Sequence, residues 1–171
     1  TLPSSIPYWQ GESISGKTLL ISSEQGIGDM IQFVRFVPEL ERCGARIVFA
    51  SYPDVVGLLR NDPRARKTEI KALEESEIDF HALLLDLPFR LGVSTPDDIP
   101  RTIPYLFANS EKAEIWQSDL AKYVGLKVGV AWAGNPGFAG DHYRSASINI
   151  FEPLSGVQGA TVFGLQKGIG A

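Results

Sequence analysis

The chain has 171 residues, 44% of them hydrophobic and 21% charged, which is the composition of a folded globular protein with one sizeable core. A formal net charge of −4 gives no bulk attraction to nucleic acid, and no apolar run approaches the roughly 18 residues of a membrane span, so we expect neither partner and a cytoplasmic location. The single cysteine excludes an internal disulfide, and with two histidines in the chain a Cys/His metal cluster is excluded too.

The N-terminal part of the chain predicts a β-α-β unit. Residues 1–16 are rich in Pro, Ser and Gly without periodicity, and we expect them to be a lead-in or linker. Residues 17–22 form a short apolar run that is typical of a buried parallel strand. Apolar residues then recur at helical spacing, which predicts an amphipathic helix kinked at Pro38. Residues 43–50 supply a glycine stop and a second strand, joined to the first by a right-handed crossover.

Strands and helices continue to alternate to the end of the chain. Such alternation predicts an α/β fold: a Rossmann-like parallel sheet with flanking helices over 17–108, a connecting helix at 109–125 and the beginning of a second such domain at 126–171. The elements predicted after the first unit are a helix at 53–61, strands at 67–70 and 80–87, an irregular proline-rich segment at 94–110, a helix at 110–125, a strand at 126–132, a helix at 149–159 and a strand at 160–168.

A glycine loop at Gly26 and Gly28 separates the first strand from its helix, where α/β folds bind ligands. An NAD fingerprint needs a small residue where this chain has Ile31, and an acid after the second strand, which is missing. An acid at Asp29 would also repel a pyrophosphate at the helix start. Two compatible interpretations of Asp29 remain. It forms a capping-box-like pair with Gln32, or it accepts a proton from a hydroxyl.

Five stretches of the chain resemble a glycosyltransferase family. The resemblance extends from about Trp9 to Gly168. It concerns the glycosyltransferase domains that follow tetratricopeptide repeats in bacterial proteins, which are similar to the ADP-heptose:lipopolysaccharide heptosyltransferases and, more distantly, to the O-linked N-acetylglucosamine transferases. It implies a GT-B architecture, in which two Rossmann-like domains face a cleft. The stretches are EQGIGDMIQFVRFVPELERCGARIVF, DLPFRLGVSTPDDIPRTIPYL, VGVAWAGNP, DHYRS and LQKG.

The resemblance also implies a reaction. A sugar passes with inversion from a nucleotide-sugar to the hydroxyl of a glycan, a lipopolysaccharide or a protein, with no metal and no cofactor besides the donor. Asp29 matches the base that activates the acceptor, while Arg144 and Ser145 match the residues that offer charge and a hydroxyl to the donor diphosphate. On residue type alone, Arg144 is equally well explained by a surface ion pair. The remaining candidate binding residues are Gly26, Gly28, Gln32, Asn135, Gln166 and Lys167.

The chain also departs from the family. Many relatives carry a histidine and an asparagine after the Asn-Pro pair, where this chain has Phe138 and Gly140. The family's second domain continues well beyond Gly168, so we expect a fragment that is inactive alone and forms a homodimer through its incomplete sheet. The alternatives are a non-catalytic binding or scaffold module with the same fold and, less favoured, an NAD-binding domain. Three further residues are expected in the core or at its edge: His81, Trp116 and Trp132.

Overall fold

The computed structural model describes residues 5–50, 57–58, 68–69 and 77–168. The chain divides into two compact units, the first ending at Ser110 and the second beginning at Glu111. Each contains a small parallel β-sheet with helical segments, so the protein is a mixed α/β protein. None of the helices in the described ranges has the length and apolar character needed to cross a membrane.

The first unit is built on a four-stranded parallel sheet with the spatial order β3-β2-β1-β4. The central strand β1 is buried, and its Leu19 and Ile21 have no exposed surface. The prediction that the first, second and fourth of these strands share one parallel sheet is confirmed. The strands are β1 (Thr18–Ser22), β2 (Arg46–Ala50), β3 (Thr68–Glu69) and β4 (Phe80–Leu83).

The strand predicted over 80–87 is too long, because the chain turns helical after Leu83. A 3-10 turn at Leu84–Asp86 leads into a short helix, α3 (Leu87–Arg90). Pro88 lies in the first turn of that helix, where its fixed φ is favourable and its missing N–H costs nothing, whereas in a central strand it would remove a ladder bond. Of the helix predicted at 53–61, the structure describes Gly57 and Leu58, both helical, and the rest lies outside the described residues.

The helix predicted after β1 is interrupted one turn earlier than expected. It consists of α1 (Ile27–Phe33), a 3-10 turn at Val34–Phe36 and α2 (Val37–Arg42). Pro38 has no N–H to donate to Val34, and its ring would clash with that carbonyl group in a continuous α-helix. The carbonyl of Val34 instead accepts the N–H of Val37, which tightens the chain into the 3-10 turn.

Residues 5–16, the described part of the segment expected to be a linker, contribute three side chains to the core of the first unit. Ile6, Trp9 and Ile14 are only 5%, 3% and 2% exposed. The backbone N–H of Trp9 donates to the carbonyl of His81 over 2.8 Å, and the N–H of His81 donates to the carbonyl of Pro7 over 3.0 Å, which adds a short parallel pairing beside β4. The sequence concealed this because the buried residues are irregularly spaced between prolines and serines.

A helix, α4 (Ser110–Ala121), starts at the boundary of the two units, and all but its first residue belong to the second. Two parallel strands follow, β5 (Leu126–Val130) and β6 (Ala160–Gly164). Gly125 has a φ of +91°, and a Cβ there would overlap the carbonyl oxygen of Gly159, so glycine is required. The helix predicted at 149–159 is a 3-10 helix, Ile148–Gly156, that includes Pro153. All three elements predicted at 110–125, 126–132 and 160–168 exist but end earlier.

The three residues that the sequence placed in the core or at its edge differ in how far they are buried. Trp116 is 64% exposed, so the expectation that it lies in the core is wrong, and none of the residues of α4 is buried. Trp132 is half-buried just after β5. His81 is half-buried in β4, with the edge of its ring against Tyr8 and its Nδ1 atom buried without a partner in the described part of the chain.

Candidate functional site

Asp29 lies in the first turn of α1, which follows the loop at the carboxyl end of β1, and it is exposed. The cap of α1 is Gly26, in an extended conformation, and no side chain accepts a capping hydrogen bond. Asp29 is therefore the third residue of the helix rather than its cap, and the capping-box interpretation with Gln32 is wrong. Its carboxylate turns back over the glycine loop, since a Cβ on Gly26 would lie 3.4 Å from Oδ2 of Asp29.

The rest of this glycine loop is held by backbone and side-chain contacts to both neighbours of β1. The N–H of Ser23 donates to the carbonyl of Ala50, at the end of β2, over 3.2 Å. On the other side, Oε1 of Glu24 accepts the N–H of Leu85, just past β4, over 3.3 Å. Glu24 was missed by sequence reasoning, although it stands directly in the Glu-Gln-Gly-Ile-Gly-Asp stretch. Gln32 and Gly28 are exposed nearby on α1.

A second polar cluster holds the N-terminal segment against β4. The hydroxyl of Tyr8 donates to Oδ2 of Asp86 and accepts the N–H of Leu83 over 3.3 Å. Burial and the hydrogen bond to Asp86 raise the pKa of Tyr8. The guanidinium of Arg90 lies 5.4 Å from the centre of the Tyr8 ring. Because these groups hold the N-terminal segment against β4, their role is structural.

In the second unit, Gln166 fixes the loop that follows β5. Its Oε1 atom accepts the N–H groups of Trp132 and Ala133 over 3.1 and 3.0 Å, and its Nε2 atom donates to the carbonyl of Ala133 over 3.0 Å. The sequence placed Gln166 among the binding residues. The structure shows that its amide is already engaged by the protein backbone.

Ser145 and Arg144 meet at one carboxylate of the same loop, that of Asp141. The hydroxyl of Ser145 donates to Oδ2 of Asp141 over 2.8 Å and accepts the N–H of Gly134 over 2.9 Å. Nε of Arg144 donates to Oδ1 of Asp141 over 3.0 Å. The hydrogen bond from Ser145, followed by the contact with Arg144, lowers the pKa of Asp141. Asp141 was not among the predicted site residues, although it ends the Asn-Pro stretch.

Arg144 is the cation that this loop presents to solvent. Its side chain is 52% exposed, against 16% for that of Asp141. Of the predicted residues nearby, Asn135 uses its Oδ1 atom to accept the N–H of Gly137 over 2.9 Å, and Lys167 is exposed at the end of the loop after β6. The structure thus brings Arg144, Ser145 and Gln166 together, and of these three only Arg144 is directed outward. Its guanidinium suits phosphate oxygens.

An open cavity of about 590 Å³ borders this loop within the second unit. Its walls are mostly apolar, with three polar side chains, which is the usual make-up of a small-molecule site. The lining residues are Val130, Trp132, Ile148, Asn149, Phe151, Glu152, Ser155, Val162 and Gly164. Across both units, the described residues hold no group of three or more His, Cys, Asp or Glu side chains arranged for a metal ion.

Comparison with known proteins gives one distant similarity. No family model matches the chain, and no solved structure matches it. The protein FlbA of Caulobacter vibrioides is 24% identical over 179 residues, which cover 94% of this chain. The alignment covers 30% of FlbA, so the chain spans less than a third of that relative's length.

Proposed function

We propose that the chain is part of an inverting, metal-independent glycosyltransferase of the GT-B type, and that each unit is a Rossmann-like domain or part of one. The observation that carries the proposal is the position of Asp29, a carboxylate that is exposed beyond the central strand of a parallel sheet and is not needed to cap its helix. Ligands of open α/β sheets bind at this edge. The resemblance of the Glu-Gln-Gly-Ile-Gly-Asp stretch to the glycosyltransferases supports the same role.

The first unit would supply the base. In the proposed step, Asp29 accepts the proton of an acceptor hydroxyl while the hydroxyl oxygen bonds to the anomeric carbon of the donor sugar. The bond from that carbon to the nucleotide diphosphate breaks, and the diphosphate leaves with the electron pair. The configuration at the anomeric carbon is thereby inverted. Glu24 would keep the loop in place through its hydrogen bond to Leu85.

The second unit would supply the charge that stabilises the leaving group. Negative charge builds up on the diphosphate as the bond breaks, and a guanidinium aimed at it lowers the barrier. Arg144 is the candidate, because it is half-exposed in a loop held by Gln166 and Asp141. The bordering cavity offers apolar walls for other parts of a donor.

The proposal can be tested without knowing the acceptor, because water can replace it. The full-length gene product is incubated with UDP-, ADP-, GDP- and CMP-sugars, and release of the nucleotide is measured. For the donor that is cleaved, Asp29→Asn should lower the rate by roughly 100-fold or more. The matched control is Asp97→Asn, which removes an exposed carboxylate elsewhere in the same unit and should leave the rate unchanged. An unchanged rate in Asp29→Asn would exclude the base.

A non-catalytic binding module with the same fold is the alternative. It is favoured by the hydrogen bonds that the Ser145 hydroxyl and the Gln166 amide make to the loop after β5, which remove two of the predicted donor contacts. This alternative requires that the full-length protein cleave no nucleotide-sugar. The donor panel above therefore decides between the two.

A further inference from the structure

We infer that Asp141 is a positioning residue, which holds the Arg144 guanidinium in the orientation that binds the donor phosphate. The inference rests on the proposed function, in which Arg144 binds the diphosphate. It adds a residue that sequence reasoning did not single out and gives it a role through Arg144 rather than through contact with the donor.

Three contacts fix the guanidinium of Arg144. Its Nε atom donates to Oδ1 of Asp141 over 3.0 Å, and its Cζ atom lies 4.9 Å from the centre of the Phe138 ring. It also lies against the backbone of Gly134, where a Cβ would be 2.6 Å from Cζ, Nε and Nη2. In the described part of the chain its only hydrogen bond is the one from Nε, so the edge formed by both Nη atoms is available for two phosphate oxygens.

Asp141 can act as an anchor because it is itself tied to the loop. Its second carboxylate oxygen accepts the hydroxyl of Ser145 over 2.8 Å, and that hydroxyl accepts the N–H of Gly134 over 2.9 Å. Its backbone carbonyl accepts the N–H groups of Arg144 and Ser145 over 3.0 and 2.8 Å. A hydrogen-bonded chain therefore runs from the end of β5 through Ser145 and Asp141 to Arg144.

The carboxylate has two opposite effects on anion binding. If Arg144 is already held in its binding orientation before the anion arrives, less conformational entropy is lost on binding, which increases affinity. The negative charge of Asp141 repels an incoming phosphate, which disfavours it. The two effects therefore differ in sign when the charge of Asp141 is removed. Anion affinity falls if Asp141 mainly positions Arg144, and it rises if Asp141 mainly competes with the anion for Arg144.

The test is calorimetric titration of the chain with inorganic pyrophosphate, UDP and ADP. Asp141→Asn keeps an acceptor for Ser145 but loses the ionic contact, and positioning predicts that affinity falls about tenfold even though a negative charge is gone. Gly134→Ala should give a similar loss, because the new methyl group displaces the guanidinium without changing charge. Asp97→Asn removes a carboxylate paired with Arg101 in the other unit and should have no effect. Tighter binding by Asp141→Asn would overturn the inference.

A second readout separates this inference from the proposed function. In ¹⁵N NMR spectra without ligand, the Nε–H of Arg144 should exchange slowly with solvent in the wild type and in Asp97→Asn, and rapidly in Asp141→Asn. Rapid exchange in the wild type overturns the positioning role. Slow exchange together with no binding of pyrophosphate, UDP or ADP would mean that Asp141 holds Arg144 but that Arg144 does not bind a diphosphate, which contradicts the proposed function.

Discussion

The side-chain amide of Gln166 pairs with the backbone of Ala133 in both directions, accepting its N–H and donating to its carbonyl, each over 3.0 Å. These two hydrogen bonds resemble those between paired strands, and they continue the pairing of β5 and β6 beyond Gly164. The loop that presents Arg144 therefore starts from a fixed point. Ser145 and Asp141 hold the loop further along the chain.

Removing that side chain should destabilise the second unit. Gln166→Ala leaves two partly buried N–H groups, those of Trp132 and Ala133, without their acceptor, at a cost of about 1–3 kcal/mol. Urea unfolding followed by tryptophan fluorescence measures this loss. Gln117→Ala, at an exposed position of α4, is the control and should stay within about 0.5 kcal/mol of the wild type. Equal stabilities of the two variants would contradict the pairing.

The buried position of the N-terminal segment can be tested with two tryptophans. Trp9 is 3% exposed in the core of the first unit, so Trp9→Ala should lower the free energy of unfolding by about 3–5 kcal/mol. Trp116 is 64% exposed on α4, and Trp116→Ala should change it by less than about 0.5 kcal/mol. Chemical denaturation of both variants makes the comparison. If residues 5–16 were a linker, Trp9→Ala would be as mild as Trp116→Ala.

A pH effect is expected in the turn before Ile99. Hydrogen bonds from the backbone and hydroxyl groups of Ser94 and Thr95 lower the pKa of Asp98 from 3.8 to about 2. Since the folded pKa lies below the ordinary value, the turn is fully stabilised above pH 3.8 and loses this contribution as the pH falls through 2. Amide exchange of Ser94 and Thr95 should accelerate over that interval.

The control for this effect is Asp98→Asn, whose side chain does not titrate. In that variant the exchange of the two amides should show no transition between pH 4 and pH 2 beyond the intrinsic dependence of exchange. A transition that persists in Asp98→Asn would assign the effect to another group.

Self-association is expected through the sheet of the second unit. In the part of the chain that the structure describes, this sheet has two strands, and Leu126 on β5 is 66% exposed. Exposed apolar strands without partners tend to pair with another copy. Light scattering of the chain at about 100 μM should therefore give the mass of a dimer, and Leu126→Lys should restore the monomer. Ile103→Lys, at an 85% exposed position in the first unit, should leave the dimer intact. A monomeric wild type would exclude this association.

The elements that depend on local pattern were predictable from the sequence. Short apolar runs located β1, β2 and β6, and the alternation with helices indicated that the strands pair in parallel. The serine, acid and glycine around α4 predicted its start and the turn after it. In each case the signal lies within about ten residues of the element, because strand formation and helix termination are controlled by neighbouring side chains.

Contacts between distant residues were decided only by the tertiary structure. Trp9 is buried because it pairs with β4, more than 70 positions along the chain, and its own neighbours carry no periodic signal. The same holds at the candidate site, where the sequence allowed Asp29 to be a cap or a base, and the structure has Gly26 in an extended conformation at the cap. Gln166 and Ser145 have side chains that suit a ligand equally well, and the fold engages both with backbone groups, leaving Arg144 exposed. Residue type determined which groups can bind phosphate, while the three-dimensional pairing of polar groups decided which of them remain available.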